Sequence, residues 1–140
     1  MVNEAPLAPD GVGGLAPTGE GWFVVNARDA SWFAHEKFGA ATRFESMQHA
    51  PFPQFGINLN VLQPGQPTCM YHGEVDQEAF LVLSGEAILI VEGQERPLRA
   101  FDFVHCPPMT EHVIVGAGEG PCVFLAVGGR SGEEIICPVC

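Results

Sequence analysis

The sequence has little positive charge. Its 140 residues include 6 lysines and arginines against 17 aspartates and glutamates, which gives a formal net charge of −11 at pH 7. Such a balance repels polyphosphates, so the composition argues against binding to nucleic acid, anionic membranes or highly anionic substrates. The chain also lacks any apolar run near the roughly 20 residues of a membrane span, which predicts no association with membranes.

The sequence also lacks a recognisable disulfide framework. Its five cysteines are odd in number and irregularly spaced, which is not typical of a disulfide scaffold. The N-terminus has no basic stretch followed by an apolar one, so we expect no secretory signal and a location in the reducing cytoplasm. Cys137 and Cys140 form a CxxC pair, but two thiols are too few for a structural zinc site.

Apolar residues make up 46% of the chain and charged residues 16%, a balance that predicts one folded domain at this length. Residues 1–21 are rich in proline, glycine and alanine and have few bulky side chains. This composition predicts a flexible or loosely docked N-terminal arm. The remaining residues, 22–140, are expected to form a single β-barrel domain.

Short apolar segments alternate with turn signals about every ten residues, which is typical of an all-β protein. We therefore predict an antiparallel β-barrel of the jelly-roll type. One helical turn is expected, over residues 28–38. The expected strands cover residues 22–26, 42–45, 56–63, 68–73, 77–83, 87–92, 95–98, 101–106, 111–115, 121–127 and 133–137. Buried or half-buried positions are expected to include Ile57, Leu59, Val61, Leu81, Leu83, Val113 and Val123.

Four polar residues, His72, Glu74, Glu78 and His112, are candidate metal ligands. His72 and Glu74 are two residues apart, which places them on one face of a strand, and Glu78 follows on a strand that can pair with the first. Imidazole and carboxylate together suit a divalent transition metal and leave positions open for water or substrate. The alternative is that His72 and Glu74 lie on an exposed strand edge and that His112 is an ordinary half-buried histidine. Side chains that could orient the ligand histidines are Gln63, Asn60 and His105.

The spacing around Glu78 matches one end of a known motif. The motif reads glycine, five residues, His-x-His, three or four residues, glutamate, six residues and glycine, and Gly85 follows Glu78 after six residues. Counting back three residues from Glu78 places the two histidine positions at His72 and Glu74, whereas counting forward five from Gly65 finds no ligand residue. In this motif the chain resembles the cupins.

The second cupin motif reads glycine, five residues, Pro-x-Gly, two residues, histidine, three residues and asparagine. Pro107, Met109 and His112 fit its central part. Phe101, Met109 and Gly116 stand where the family has glycine, glycine and asparagine. The two motifs occur in the family's order, and the resemblance covers about residues 56–129.

The resemblance implies a barrel that binds a catalytic metal at its mouth. Carried over to matching positions, His72, Glu78 and His112 are the expected ligands of one divalent ion, Zn, Fe, Mn or Ni. Glu74 is the expected fourth ligand or a neighbouring base. Because the histidines must be neutral to bind, metal loss is expected as the pH falls through about 6.

The resemblance also implies pairing of two barrels, and we expect a homodimer. Four aromatic residues in the N-terminal third supply more apolar surface than one small core requires: Trp22, Phe23, Trp32 and Phe33.

Three functions remain open. The first is a metal-dependent enzyme, an oxygenase or an isomerase, acting on a small organic molecule. The second is a module that binds or senses a small molecule or metal without turnover. The third is a structural dimer unit with an inactive pocket. Altered positions in the family motifs favour the second, and the aromatic N-terminal third supplies apolar surface for the third.

Overall fold

The computed structural model describes residues 1–46 and 48–131, which form strands, turns and loops without a helix. None of the described segments is therefore a helix that could cross a membrane. The strands are β1 (Leu7–Pro9), β2 (Leu15–Pro17), β3 (Ser31–His35), β4 (Gly39–Arg43), β5 (Phe55–Leu62), β6 (His72–Gly73), β7 (Glu78–Ser84), β8 (Glu86–Val91), β9 (Gln94–Arg99), β10 (Phe103–Cys106), β11 (Glu111–Ala117) and β12 (Cys122–Gly129).

Two antiparallel sheets form the body of the molecule. One has six strands in the order β10-β7-β12-β5-β4-β3, and the other has four in the order β6-β11-β8-β9. Buried apolar side chains from both sheets form a single cluster, so the sheets enclose a common core. This arrangement confirms the predicted antiparallel jelly-roll barrel.

The centre of the core is formed by side chains that point inward from both sheets. Leu62, Val82 and Phe124 of the larger sheet have no exposed surface, and Ile114 of the smaller sheet is almost equally buried. The ring of Phe80 meets that of Phe124 edge-on, with centroids 6.0 Å apart. Burial of these side chains supplies the main driving force for closing the two sheets on each other.

The outward face of the larger sheet is also apolar. Leu125 of β12 is paired with Leu59 of β5 on one side and with Leu81 of β7 on the other, and all three are half-buried. Leu83 lies near this face and is 40% exposed, so its predicted burial is wrong. Alternation correctly grouped Leu59 with its neighbours, but the fully buried side chains lie on the opposite face.

The helical turn predicted over residues 28–38 is also wrong, because this segment forms the hairpin of β3 and β4. Ser31 is paired with Arg43 and His35 with Gly39. Gly39 closes the turn with φ +72°, a conformation that glycine adopts readily. Two other predicted strands are much shorter than expected: in 22–26 only Trp22 forms a bridge, and 68–73 is reduced to β6.

The N-terminal segment contains the β1–β2 hairpin, and main-chain hydrogen bonds connect it to the body. The amide of Leu15 donates to the carbonyl of Asp29 at 2.8 Å, and the Ser31 hydroxyl donates to Asp10. The latter bond is the main reason that the pKa of Asp10 lies below its usual value. The division into an arm and a barrel remains a prediction. The predicted strand at 133–137 and the pair Cys137 and Cys140 lie outside the described residues.

Candidate metal centre

Three of the four predicted ligands meet inside the barrel. His72 of β6 is the cross-strand partner of His112 of β11, and their ring centroids are 5.2 Å apart. Glu78, the first residue of β7, extends from the opposite sheet and brings its Oε2 to 3.0 Å from Nε2 of His112. One ligand atom from each residue lies within 4.8 Å of the other two. The two sheets thus bring together residues separated by up to 40 positions in the sequence.

Both imidazoles are oriented in the same way by backbone carbonyls. Nδ1 of His72 lies 2.8 Å from the carbonyl oxygen of Met70, and Nδ1 of His112 lies 2.9 Å from that of Thr110. Since a carbonyl can only accept, each Nδ1 carries a proton and donates. In the neutral ring this leaves the Nε2 lone pair free for a metal.

The groups that orient the histidines are therefore backbone carbonyls rather than the predicted side chains of Gln63, Asn60 or His105. His105 is exposed on β10, and the amide of Asn60 donates to Asn58 instead. Carbonyl partners two residues before a histidine depend on local backbone conformation, so no side-chain pattern could have identified them.

Glu78 contains the one buried side-chain oxygen in the described residues without a hydrogen bond, its Oε2. Its contact with Nε2 of His112, at 3.0 Å, is an ion pair when the ring is protonated and is not matched by a hydrogen bond from any other group in the described residues. A buried polar atom in this condition costs free energy. A cation between this oxygen and the two Nε2 atoms would remove that cost, so the residues present fit a divalent metal ion.

Glu74 lies beside this cluster rather than within it. Its Oε1 is 3.2 Å from Nε2 of His72, the atom that would bind a metal. Burial, followed by repulsion from Glu78, raises the pKa of Glu74. Glu74 can therefore reach the ion's neighbourhood, and its place as a fourth ligand remains a prediction.

Two cysteines contact the histidines from outside the cluster, and the spacing of the motifs does not predict these contacts. The sulfur of Cys69 lies 3.2 Å from Nδ1 of His72 and is the main cause that raises the pKa of His72 to about 9. Burial lowers the pKa of His112, but Cys106, Glu78 and the Thr110 carbonyl outweigh it and raise that pKa to about 10. The metal-free site therefore favours protonated histidines at neutral pH.

A cavity of about 770 Å³ opens beside the cluster, within the range typical of small-molecule sites. Glu74 and Glu78 form part of its wall. Along the larger sheet its lining includes the small residues Gly56, Ala126 and Gly128 together with Asn58. The cluster thus adjoins a space large enough for a small organic molecule.

The backbone supports the alignment with both cupin motifs. Gly85 has φ +79°, and a Cβ there would lie 2.2 Å from the carbonyl oxygen of Pro121. Phe101 and Met109, which replace family glycines, keep left-handed φ angles of 73° and 72°. At Gly116 a Cβ would lie 2.2 Å from the carbonyl oxygen of Gln63, so the family's asparagine does not fit here.

Residues 58–128, just over half of the chain, match the family model described as "Cupin domain". The chain belongs to the cupin family. No curated protein sequence matches this cupin, but many solved structures resemble it.

One similar structure is the polyketide cyclase RemF from Streptomyces resistomycificus, with 14% identity, a TM-score of 0.71 and coverage of 85% of this chain and 87% of that one. A cupin 2 conserved barrel domain protein from Salinispora arenicola has 24% identity, a TM-score of 0.64 and coverage of 78% and 89%. A sugar phosphate isomerase of the cupin superfamily from Silicibacter pomeroyi has 27% identity, a TM-score of 0.58 and coverage of 66% and 59%. The first two likenesses show the fold alone.

Proposed function

We propose that this cupin binds one divalent transition metal ion through His72, Glu78 and His112 and acts on a small organic molecule in the adjoining cavity. The observation that carries the proposal is the buried, unbonded Oε2 of Glu78 facing two imidazoles with the same tautomer. A set of two histidines and one carboxylate suits Fe, Mn, Ni or Zn.

When bound, the ion supplies a Lewis-acid centre that polarises an oxygen of the ligand. The protein residues position that ligand and move protons. Glu74 lines the cavity beside the ion's ligands, and its raised pKa lets it hold a proton closer to neutral pH than an ordinary glutamate does. A base of this kind suits an isomerase, and the sugar phosphate isomerase with 27% identity supports the same class.

The experiment is metal analysis of protein purified without a histidine tag, followed by calorimetric titration of the stripped protein with Zn, Mn, Fe and Ni salts. We expect one ion per chain for the wild type and no binding for His112→Gln. The matched control is His105→Gln, because His105 is exposed on β10, and it should bind like the wild type. Equal binding by both variants would contradict the proposed site.

A binding or sensing module without turnover is the second candidate. It is favoured by Glu74, which stands at the position of a family histidine and is hydrogen-bonded to His72. In that case the ion binds with the same stoichiometry, but carbonyl substrates are not converted in the metal-loaded protein. Conversion that disappears in Glu74→Gln while the metal stays bound would exclude this candidate.

Pairing into a homodimer is a separate proposal. The outward face of the larger sheet has apolar side chains on neighbouring strands, among them Leu59, Leu81 and Leu125, and the edge residue Phe103 is 66% exposed. An uncharged face lets two copies with net charge −11 meet with little repulsion at the contact. Sedimentation should give twice the 15.0 kDa chain mass, and a monomer at all concentrations would contradict the proposal.

A further inference from the structure

The charges along the cavity wall are mostly paired within the protein. Arg130 forms a bidentate ion pair with Glu45: Nη2 donates to Oε1 at 2.6 Å and Nη1 donates to Oε2 at 2.8 Å. It also donates to the carbonyl of Phe52 at 2.8 Å. This guanidinium is therefore occupied by the loop before β5 and is not available to a ligand.

The remaining carboxylates of the wall also have partners. Asp76 accepts a hydrogen bond of 2.8 Å from the amide of Ser131, and Glu74 accepts one from His72. Glu78 is one of the three candidate metal ligands. None of these acids needs a cation from the opposite wall.

Arg43 is the exception. Its guanidinium carbon lies 4.3 Å from the centre of the Phe33 ring, and both residues line the cavity. Within residues 1–46 and 48–131, no carboxylate or carbonyl oxygen is hydrogen-bonded to its side chain. Glu45 is near enough for Arg43 to help lower its pKa, but its oxygens are held by Arg130. A chain with only 6 lysines and arginines thus has an exposed arginine without a hydrogen-bonded partner on the wall of this cavity.

The sheet surface between Arg43 and the three candidate metal ligands is lined mainly by small residues, and the guanidinium of Arg130 lies over Gly56. From Glu78 on β7 the sheet continues through β12 and β5 to β4, and on the inward face the intervening residues are Gly128 and Ala126 of β12 and Gly56 and Asn58 of β5. Three strand spacings correspond to a backbone separation of about 14 Å. Both residues line the cavity, and the guanidinium of Arg43 lies against Phe33 on the β3 side, so a ligand that contacts both must span the width of the cavity.

We propose that Arg43 binds a carboxylate of the ligand, so that the cavity selects a small organic acid with a second oxygen group at its other end. The placement of that other end at His72, Glu78 and His112 rests on the proposed function. Arginine offers a planar pair of donors that matches a carboxylate. The ring of Phe33 holds the guanidinium by a cation–π contact and limits the freedom lost on binding.

A carboxylate fits better than a phosphate because of the charge around Arg43. The cavity wall has four acidic residues and two arginines, and the whole chain has a net charge of −11. A doubly charged phosphate would be repelled more strongly than a singly charged carboxylate. Inorganic phosphate is therefore the competing probe.

The test uses zinc-loaded protein and two pairs of probes, succinate with succinamate and glutarate with glutaramate. In each pair one carboxylate is replaced by a neutral amide of nearly the same shape. The variants are Arg43→Gln and, as a control with the same charge change, Arg99→Gln, whose side chain is exposed on β9 and does not line the cavity. Zinc stoichiometry is measured on every sample before the probes are added.

We expect at least one diacid to bind the wild type and Arg99→Gln about 10–100-fold more tightly than its amide, the range expected for charge-assisted hydrogen bonds. In Arg43→Gln, which keeps its zinc, this preference should disappear. An unchanged preference in Arg43→Gln, tighter Arg43-dependent binding of phosphate, or no binding of any acid to the wild type would overturn the assignment.

The two proposals fail in different ways. If the wild type binds no zinc, the proposed function fails, and the probes are then titrated into the metal-free protein. An Arg43-dependent preference for the acid over its amide in that sample supports the carboxylate site on its own, and the lack of one overturns it.

Discussion

The two ends of the barrel interior are built by the same strands but differ completely in polarity. On β7, Val82 points into the apolar end and has no exposed surface, whereas Glu78 points into the polar end. On β11, Ile114 and His112 divide in the same way, and both are almost fully buried. The change from core to site thus occurs along each strand: burial is nearly unchanged on β11, whereas on β7 it falls from the fully buried Val82 to the half-buried Glu78.

Phe80 marks the boundary between the two ends. Its ring lies 6.0 Å from that of Phe124 and 5.4 Å from that of His112. One end of the interior is stabilised by apolar burial, and the other holds ionisable groups that burial disfavours. The residues that stabilise the fold and the candidate ligands are therefore separated along the barrel axis, and substitutions at the two ends should have separate effects.

The largest expected effect is at the apolar end. Leu62→Ala should lower the free energy of unfolding by about 2–5 kcal/mol, because it leaves a cavity in a fully buried site. Leu59→Ala on the outward face of the same strand should cost less, since that side chain is only half-buried. Urea denaturation of the metal-free variants measures both, and equal losses would contradict the assignment of the inner face.

The second effect concerns protons at the polar end. With pKa values of about 9 for His72 and about 10 for His112, a metal ion must displace a proton from each ring. Zinc affinity should therefore rise by up to about 100-fold for each pH unit from about pH 6 to about pH 8. Proton release, measured by calorimetry in buffers of different ionisation enthalpy, should approach two per ion. This window lies above the pH of about 6 expected from unperturbed histidines.

A rise in pH, which increases zinc affinity, should decrease the stability of the metal-free protein. Groups whose pKa is raised on folding stabilise the protein below their unfolded pKa of 6.5, and this stabilisation disappears as the pH rises through about 9 and 10. The melting temperature of metal-free protein should therefore fall from about pH 6.5 upward. A flat profile would contradict the raised pKa values.

A smaller effect is expected at Glu74. Glu74→Ala should weaken zinc binding by about 10–100-fold if Glu74 only supports His72, and by more if it is a ligand. Glu74→His would complete the family's usual ligand set and should tighten binding. Zinc competition assays on the two variants measure the change, and no effect of either would show that Glu74 is remote from the ion.

A substitution at His112 affects the packing of the core as well as metal binding. It is 2% exposed and packs against Phe80, so His112→Ala removes packing as well as a ligand. His112→Gln preserves more of the volume, which makes it the better variant for separating metal binding from stability.

The smallest effect is expected at a strained turn. Met109 has φ 72°, a conformation that costs an ordinary residue about 1–2 kcal/mol. Met109→Gly relieves this strain but gives the unfolded chain more freedom, so the net gain should be at most about 1 kcal/mol. Met109→Ala, which keeps the strain, should not raise the midpoint of thermal unfolding.

Much of the fold was predictable because its signals are local. Alternation in 56–63 and turn signals at Gly85 and Gly93 correspond to observed strands and turns. The inner face was not predictable, because Leu59 and Leu62 are equally apolar and only the tertiary structure buries one of them completely. The hairpin of β3 and β4 was also missed, since pairing with β5 overrides a helical reading of that segment.

The residue types and their spacing predicted which residues form the candidate site, but they did not predict the groups that surround those residues in the fold. The motif led to His72, Glu78 and His112, which the fold brings together. The residue spacing does not indicate the carbonyls that orient the histidines, the neighbouring sulfur of Cys69 or the unpaired guanidinium of Arg43. They depend on backbone conformation and on packing between strands distant in the sequence.

The central claim is that the polar end of the barrel holds an ion through two imidazoles and a carboxylate. X-ray absorption at the zinc edge of the loaded wild-type protein tests it most directly, because Zn–N and Zn–O bonds of about 2.0–2.2 Å differ from a Zn–S bond of about 2.3 Å. We expect multiple scattering from two imidazoles and no sulfur, although Cys69 and Cys106 both contact the histidines. A sulfur ligand, or fewer than two imidazoles, would contradict it.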